Sequence, residues 1–89
     1  MSAIATIYTK QFCPFCHRAL ALLDQKKISF NDIPVDGKPL LQADMAKKAG
    51  GASTVPQIWI GDTHVGGCDA LFALERNGAL DTLIEQAKG

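Results

Sequence analysis

The segment Cys13-Pro14-Phe15-Cys16 places two thiols three residues apart, where a strand pattern changes into a helix pattern. The residues before it, Ile4-Ala5-Thr6-Ile7-Tyr8-Thr9, are apolar and β-branched, a composition that favours a strand. The residues after it carry leucines at helical spacing and end in Lys26-Lys27. Proline suits the first position of a helix, where its missing N–H costs no hydrogen bond. The sequence therefore predicts a helix that begins at Pro14, with Cys13 as its cap.

A cysteine in that cap position has its sulfur beside the unpaired amides and the positive dipole end of the helix. Both stabilise the thiolate, and comparable thiols have a pKa of roughly 3.5 to 7.5 instead of about 8.5. Lys10 and Arg18 add positive potential if their side chains face the sulfur. Cys16, one turn further on, can attack a mixed disulfide formed on Cys13. The sequence predicts Cys13 as the nucleophile and Cys16 as the resolving thiol.

Other interpretations of the two cysteines stay open. A zinc site needs two further ligands at similar spacing, and the candidates His17, His64 and Cys68 include no second tight pair. Cys13 to His17 also matches the C-x-x-C-H pattern of haem attachment, which is expected in exported proteins. The two thiols could also pack as small apolar residues. We expect no bound metal.

Composition predicts one globular domain that spans residues 1–89. Nine basic and nine acidic side chains cancel, so net charge gives no argument for nucleic acid or an anionic membrane as partner. The first residues lack a basic segment and a long apolar run, so we expect no signal peptide, and no stretch is long enough to span a bilayer. Three cysteines are a poor disulfide framework. These features predict a cytoplasmic protein with catalytic rather than structural sulfur.

The apolar periodicity along the chain alternates between strand and helix. Strands are expected at about 4–8, 28–33, 57–60 and 63–65, and helices at 14 to about 26, about 41–49, 68 to about 76 and about 80–87. A helix between strands one and two makes them parallel, whereas Gly61-Asp62 predicts an antiparallel hairpin of strands three and four. The fold class is therefore α/β, in the order β-α-β-α-β-β-α-α with a four-stranded mixed sheet flanked by helices. The sheet edge near Cys13 is the expected ligand crevice.

Two further segments lie where the sheet meets a connection. Thr54-Val55-Pro56 precedes the third strand, where a proline needs no special role. A cis bond at that proline would instead let Val55 turn its backbone N–H and C=O toward a peptide. Gly66-Gly67-Cys68-Asp69 begins a helix, whose free amides suit a carboxylate.

Individual side chains near these segments have two interpretations each. Asp69 binds an amino group or is an ordinary carboxylate at a helix start. Cys68 is a third active thiol or a partly shielded small residue near the ligand. Phe15 forms a wall of the crevice or packs in the core. His17 is expected to be a solvated helix residue, because exchange by an acidic thiolate needs no general base.

These segments, in this order, resemble a glutaredoxin of the small bacterial dithiol type. The resemblance covers essentially the whole chain and rests on Tyr8-Thr9-Lys10, Cys13-Pro14-Phe15-Cys16, Thr54-Val55-Pro56-Gln57-Ile58 and Gly66-Gly67-Cys68-Asp69. It implies a thioredoxin fold, a cis bond before Pro56, and glutathione as ligand and co-substrate. By resemblance, the glutathione-binding residues are Lys10, Phe15, Thr54, Val55, Pro56, Gly67, Cys68 and Asp69.

The resemblance also implies which part of glutathione each side of the site binds. Lys10 would pair with the glycine carboxylate, Val55 would hydrogen-bond the cysteinyl backbone, and Cys68-Asp69 would hold the γ-glutamyl end. The chain departs from the family's commonest pattern at three places, which bear on affinity and substrate preference and not on the chemistry. Phe15 stands where tyrosine is commonest, Ala52-Ser53 has no basic residue, and Ala70 replaces a second acid.

The implied activity is that of a glutathione-dependent thiol–disulfide oxidoreductase. Cys13 alone would reduce protein–glutathione mixed disulfides, and Cys13 with Cys16 would reduce protein disulfides. The partners would be glutathione and glutathionylated or disulfide-containing proteins, and the chain would act as a monomer. An alternative is an iron–sulfur carrier, in which two subunits share a [2Fe–2S] cluster through Cys13 and two glutathiones. Pro14 argues against this alternative, because cluster-binding relatives usually have a smaller residue there.

Overall fold

The computed structural model describes residues 3–88 as a mixed four-stranded sheet with helices on both faces. The strands are β1 (Ala5–Thr9), β2 (Phe30–Pro34), β3 (Gln57–Ile60) and β4 (Thr63–Gly66), and the helices are α1 (Pro14–Gln25), α2 (Pro39–Lys48), α3 (Cys68–Arg76) and α4 (Ala79–Lys88). The strand order is β2-β1-β3-β4, with β1 parallel to β2 and antiparallel to β3, and β3 antiparallel to β4. The predicted α/β class, element order and mixed sheet are confirmed.

The second strand differs from its predicted boundaries at both ends. It begins at Phe30 and includes Pro34, whereas the sequence predicts residues 28–33. Before it, Lys27 adopts a left-handed conformation with φ 57°, and the carbonyl of Ser29 accepts the N–H of Ile4 and the N–H of Ala5. The chain therefore completes a turn before the regular ladder starts. Proline is tolerated in β2 because this strand lies at the edge of the sheet.

Alternate residues of the two inner strands face two separate cores. Ile7 of β1 and Ile58 of β3 are fully buried in the larger core, against the side of the sheet covered by α1, α3 and α4. Tyr8 and Trp59 face the other side, where they pack with Met45 of α2. β1 is covered on both faces and paired on both edges. The position of its last residue, from which the chain continues toward α1, is therefore fixed.

Within residues 3–88, none of the helices has both the length and the apolar character that crossing a membrane requires.

Candidate active site

Cys13 caps α1, as its position before Pro14 predicts. Its backbone is extended, with φ −127° and ψ 99°, and its carbonyl accepts the N–H of His17 at 3.1 Å. The backbone N–H of Cys16 donates to the sulfur of Cys13 at 3.1 Å. The sulfur therefore satisfies one of the otherwise unpaired amides and lies at the positive end of the helix dipole. Both effects favour the thiolate form of Cys13 over the thiol.

The two cysteines of the motif differ in access to solvent. Their sulfurs are joined as a disulfide, and Cys13 is half-buried while Cys16 is fully buried. A nucleophile must reach an external disulfide, whereas a resolving thiol needs only to reach the nucleophile. The exposure of the two side chains therefore matches the order in which the sequence predicts them to react.

The segment before β3 forms the second side of the site. The Val55–Pro56 peptide bond is cis, as the resemblance implies. The carbonyl oxygen of Val55 lies 3.9 Å from the sulfur of Cys13. Pro56 is buried beside it, and Thr54, at the outer end of the segment, is exposed. A backbone hydrogen-bond acceptor of this loop thus lies next to the reactive sulfur.

A groove of about 350 Å³ opens between this segment and the start of α3. It is lined by Phe15, Thr54, Val55, Pro56, Gly67, Cys68, Asp69 and Ala70. The lining contains every residue that the resemblance assigns to glutathione except Lys10. Phe15 is 54% exposed and belongs to the groove wall rather than to the core. A larger depression of about 710 Å³ lies at the opposite end of the sheet, and its lining includes no cysteine.

Lys10 lies outside this groove. It is half-buried and lines a separate cavity of about 360 Å³ together with His17, Asp32 and Asp36. The structure thus places Lys10 among acidic side chains on the β2 side of Cys13, and its pairing with a glycine carboxylate stays a prediction. His17 is exposed. The guanidinium of Arg18 lies over the ring of Phe72, 5.4 Å from its centroid.

The start of α3 closes the groove from the other side. Gly67 caps the helix, and a Cβ added to it would lie 3.6 Å from the carbonyl oxygen of Pro56, so the two walls approach closely here. Cys68 is 6% exposed, and burial raises the pKa of its thiol against the opposing effect of Arg18. A raised pKa keeps this thiol protonated at neutral pH, which favours a shielded residue over a third nucleophile. Asp69 is exposed in the first turn of the helix.

No sequence prediction singled out Gln57, although the structure connects it to the groove. Gln57 is 4% exposed, its Oε1 lies 2.8 Å from the ring nitrogen Nε2 of His64, and its Nε2 donates to Oγ1 of Thr54 at 3.4 Å. The sequence feature that could have identified Gln57 is its polar side chain in an otherwise apolar inner strand, because a buried amide needs hydrogen-bond partners.

In the part of the chain from residue 3 to residue 88, no group of three or more His, Cys, Asp or Glu side chains is arranged to hold a metal ion.

The chain matches the glutaredoxin family model over residues 5–65. It is 60% identical to a glutaredoxin of Pseudomonas aeruginosa over 78 residues, which are 88% of this chain and 92% of that protein. It is 51% identical to Glutaredoxin 3 of Escherichia coli over 79 residues, 89% of this chain and 94% of that protein.

Solved structures of the same family share the fold. The holo form of glutaredoxin C1 from Populus tremula x tremuloides superposes with a TM-score of 0.89 at 30% identity, over 99% of this chain and 81% of that one. A buckwheat glutaredoxin–glutathione complex superposes with a TM-score of 0.87 at 28% identity, over 97% of this chain and 80% of that one.

Proposed function

Because the chain belongs to the glutaredoxin family and is a thiol–disulfide oxidoreductase with a thioredoxin fold, we propose that its co-substrate is glutathione, bound in the groove beside Cys13. The observation that carries this proposal is the position of the Cys13 sulfur. It accepts an N–H at the start of α1 and lies 3.9 Å from the groove-lining Val55 carbonyl. After reduction of the Cys13–Cys16 disulfide, a thiolate at this position would be stabilised and would adjoin the groove.

The groove has the size and the chemistry for a small peptide thiol. Its volume of about 350 Å³ falls within the roughly 300–1,000 Å³ of small-molecule sites. At the α3 end, the helix N-terminus suits a carboxylate and Asp69 suits an ammonium group, the two charges of a γ-glutamyl end. At the other end, the Val55 backbone can pair with the cysteinyl unit. The buckwheat relative was solved in complex with glutathione.

The first proposed route removes glutathione from proteins with Cys13 alone. The Cys13 thiolate attacks the glutathione-side sulfur of a protein–glutathione disulfide. The Cys13–glutathione disulfide forms while the protein sulfur leaves as a thiolate and takes a proton from water. A glutathione thiolate then attacks the glutathione sulfur of the mixed disulfide. This step regenerates the Cys13 thiolate and releases oxidised glutathione, which consists of the glutathionyl group from the client and one glutathione from solution.

The second proposed route reduces protein disulfides and needs both thiols. Cys13 attacks one client sulfur and releases the other as a thiolate. Cys16 then loses its proton and attacks the Cys13 sulfur of the mixed disulfide, which releases the reduced client and leaves the Cys13–Cys16 disulfide. Two glutathiones reduce that disulfide in turn. The enzyme would act as a monomer on glutathionylated and disulfide-containing proteins of the cytoplasm, where glutathione is kept reduced.

Single cysteine variants test the two routes. Cys16→Ser should retain turnover of a glutathionylated peptide, since that route uses only Cys13, and should lose most reduction of a protein disulfide. Cys13→Ser should abolish both activities. Glutathione consumption, followed through production of oxidised glutathione, is the measurement. Equal loss of both activities in Cys16→Ser would refute the division of labour, and activity in Cys13→Ser would refute the nucleophile.

A further inference from the structure

Gln57 is a buried polar residue whose amide has a partner at each end. It begins the inner strand β3 and is 4% exposed. Its Oε1 accepts from Nε2 of His64 at 2.8 Å, and its Nε2 donates to Oγ1 of Thr54 at 3.4 Å. The amide therefore connects the β3–β4 hairpin to a residue that lines the groove.

The ring of His64 is itself held in place, although it lies on the surface. His64 pairs with Trp59 across the β3–β4 ladder, and their ring centroids are 4.7 Å apart. Trp59 in turn packs edge-on against Tyr8, with centroids 5.5 Å apart. In this arrangement Nε2 of His64 carries the proton that the Gln57 amide oxygen accepts. The oxygen faces His64, and the NH₂ group is left to face Thr54.

The direction of that last hydrogen bond decides what Thr54 offers to a ligand. A hydroxyl has one proton and two lone pairs. The Gln57 N–H occupies a lone pair of the Thr54 oxygen, so the hydroxyl proton stays available to the groove. The loop is held from its other side as well, because Nε2 of Gln42 donates to the carbonyl of Ser53 at 2.8 Å.

We propose that Gln57, oriented by His64, is a positioning residue that makes Thr54 a hydrogen-bond donor to the bound glutathionyl group. The acceptor is a carbonyl or carboxylate oxygen of that group. This inference rests on the proposed function, since it takes glutathione as the ligand of the groove. Gln57 acts on binding and not on sulfur exchange, because its amide contacts His64 and Thr54 rather than the Cys13 sulfur.

The first test removes the amide while keeping the shape of the side chain. Gln57→Met should raise KM for a glutathionylated peptide by about 2- to 10-fold, the range that one hydrogen bond supplies. The kcat should stay within about 2-fold of the wild-type value, and the Kd of S-methylglutathione, which cannot exchange, should rise with KM. Gln86→Met on the exposed face of α4 is the matched control and should change neither constant. Wild-type KM and Kd in Gln57→Met would overturn the proposal.

A second test asks whether Gln57 acts through Thr54. Thr54→Val removes the hydroxyl and should raise KM and Kd, whereas Thr54→Ser keeps the hydroxyl and should raise them less than Thr54→Val does. In the Thr54→Val background, Gln57→Met should add no further increase, since the group that it positions is gone. Additive increases in the double variant would mean that Gln57 supports the fold only, and the proposal would fail.

A third variant covers the case in which Gln57→Met does not fold. His64→Phe keeps a ring against Trp59 at an exposed position and removes the hydrogen bond to Gln57. It should raise KM and Kd in the same direction. A folded His64→Phe with wild-type KM and Kd would overturn the proposal. Failure of the proposed function is distinguishable, because the wild-type protein would then show neither glutathione-dependent turnover nor binding of S-methylglutathione.

Discussion

The carbonyl oxygen of Val55 lies 3.9 Å from the sulfur of Cys13, although 42 positions separate the two residues in the chain. The contact follows from the sheet, because β1 leads into Cys13 and β3 begins just after Val55. These two strands are antiparallel neighbours, with Tyr8 opposite Gln57. The reactive sulfur and the groove wall are thus both fixed by the inner strands.

In the reduced protein we expect the pKa of the Cys13 thiol to lie below the ordinary value of about 8.5, because the Cys16 N–H and the helix dipole stabilise its thiolate. The measurement is the rate of alkylation by iodoacetamide against pH in the double variant Cys16→Ser/Cys68→Ser. Cys68 provides the contrast in Cys13→Ser/Cys16→Ser. Since burial raises the pKa of the Cys68 thiol, it should react slowly at neutral pH. An ordinary alkaline midpoint for Cys13 would contradict the prediction.

Lys26 should make a pH-dependent contribution to stability. It follows α1 and forms ion pairs with Glu75 of α3 and Asp81 of α4, and hydrogen bonds to these two carboxylates raise the pKa of Lys26 above its ordinary 10.5. A cation with a raised pKa stabilises the folded state fully below that ordinary value, and the contribution is lost as pH rises through the folded-state pKa. Lys26→Met should therefore lower the melting temperature at pH 7, by a margin that narrows above about pH 10.5.

The matched control for this variant is Lys88→Met. It removes an exposed pair with Glu85 at 3.4 Å and should lower the melting temperature less than Lys26→Met does. A difference between wild type and Lys26→Met that stays constant through the alkaline range would show that the ion pairs are not its cause.

Two leucines in helices should differ sharply in their contribution to stability. Leu71 of α3 is fully buried in the larger core, and Leu40 of α2 is 83% exposed. Leu71→Ala leaves a cavity and should reduce the free energy of unfolding by about 2–5 kcal/mol. Leu40→Ala should change it by no more than about 0.5 kcal/mol. Urea denaturation of the two variants provides the measurement. Similar small losses of unfolding free energy in both would contradict the burial of Leu71 in the larger core.

The two glycines before α3 should tolerate alanine unequally. Gly66 has φ 112°, which L-residues rarely adopt, and a Cβ there would lie 3.4 Å from the Cβ of Ala70. Gly67 is extended, and its added Cβ would make an ordinary contact with Pro56. Gly66→Ala should reduce the free energy of unfolding by about 1–3 kcal/mol, and Gly67→Ala by less. Equal losses on chemical denaturation would exclude backbone strain as the reason for glycine at position 66.

The sequence predicts the helices and inner strands well because their signals are local. A proline after a cap residue marks the start of α1, and the glycine pair before Cys68 marks the start of α3. The bounds of β3, Gln57–Ile60, agree with the predicted 57–60. The edge strand β2 is displaced, because its start depends on a left-handed turn at Lys27 that apolar periodicity does not encode.

The residues of the candidate site also differ in whether the sequence predicts them. The two thiols could be predicted from spacing alone, whereas the groove lining needed the family resemblance, since no local pattern links Thr54 with Cys68. The hydrogen bonds from His64 through Gln57 to Thr54 could not be predicted, because they depend on the register between β3 and β4. The neighbours of Lys10 depend likewise on how β1 and β2 end.

Because β1 and β3 are antiparallel, the active site and the turn between β3 and β4 lie at opposite ends of the sheet. Cys13 lies beyond the Thr9 end of β1, whereas the hairpin turn at Gly61 lies beside the Ala5 end, where the end of α4 packs against it. A dye, a fusion partner or a solid support joined through the end of α4 would therefore face away from the sulfur. Attachment through the end of α4 would therefore leave the active site of an immobilised protein accessible to its substrates.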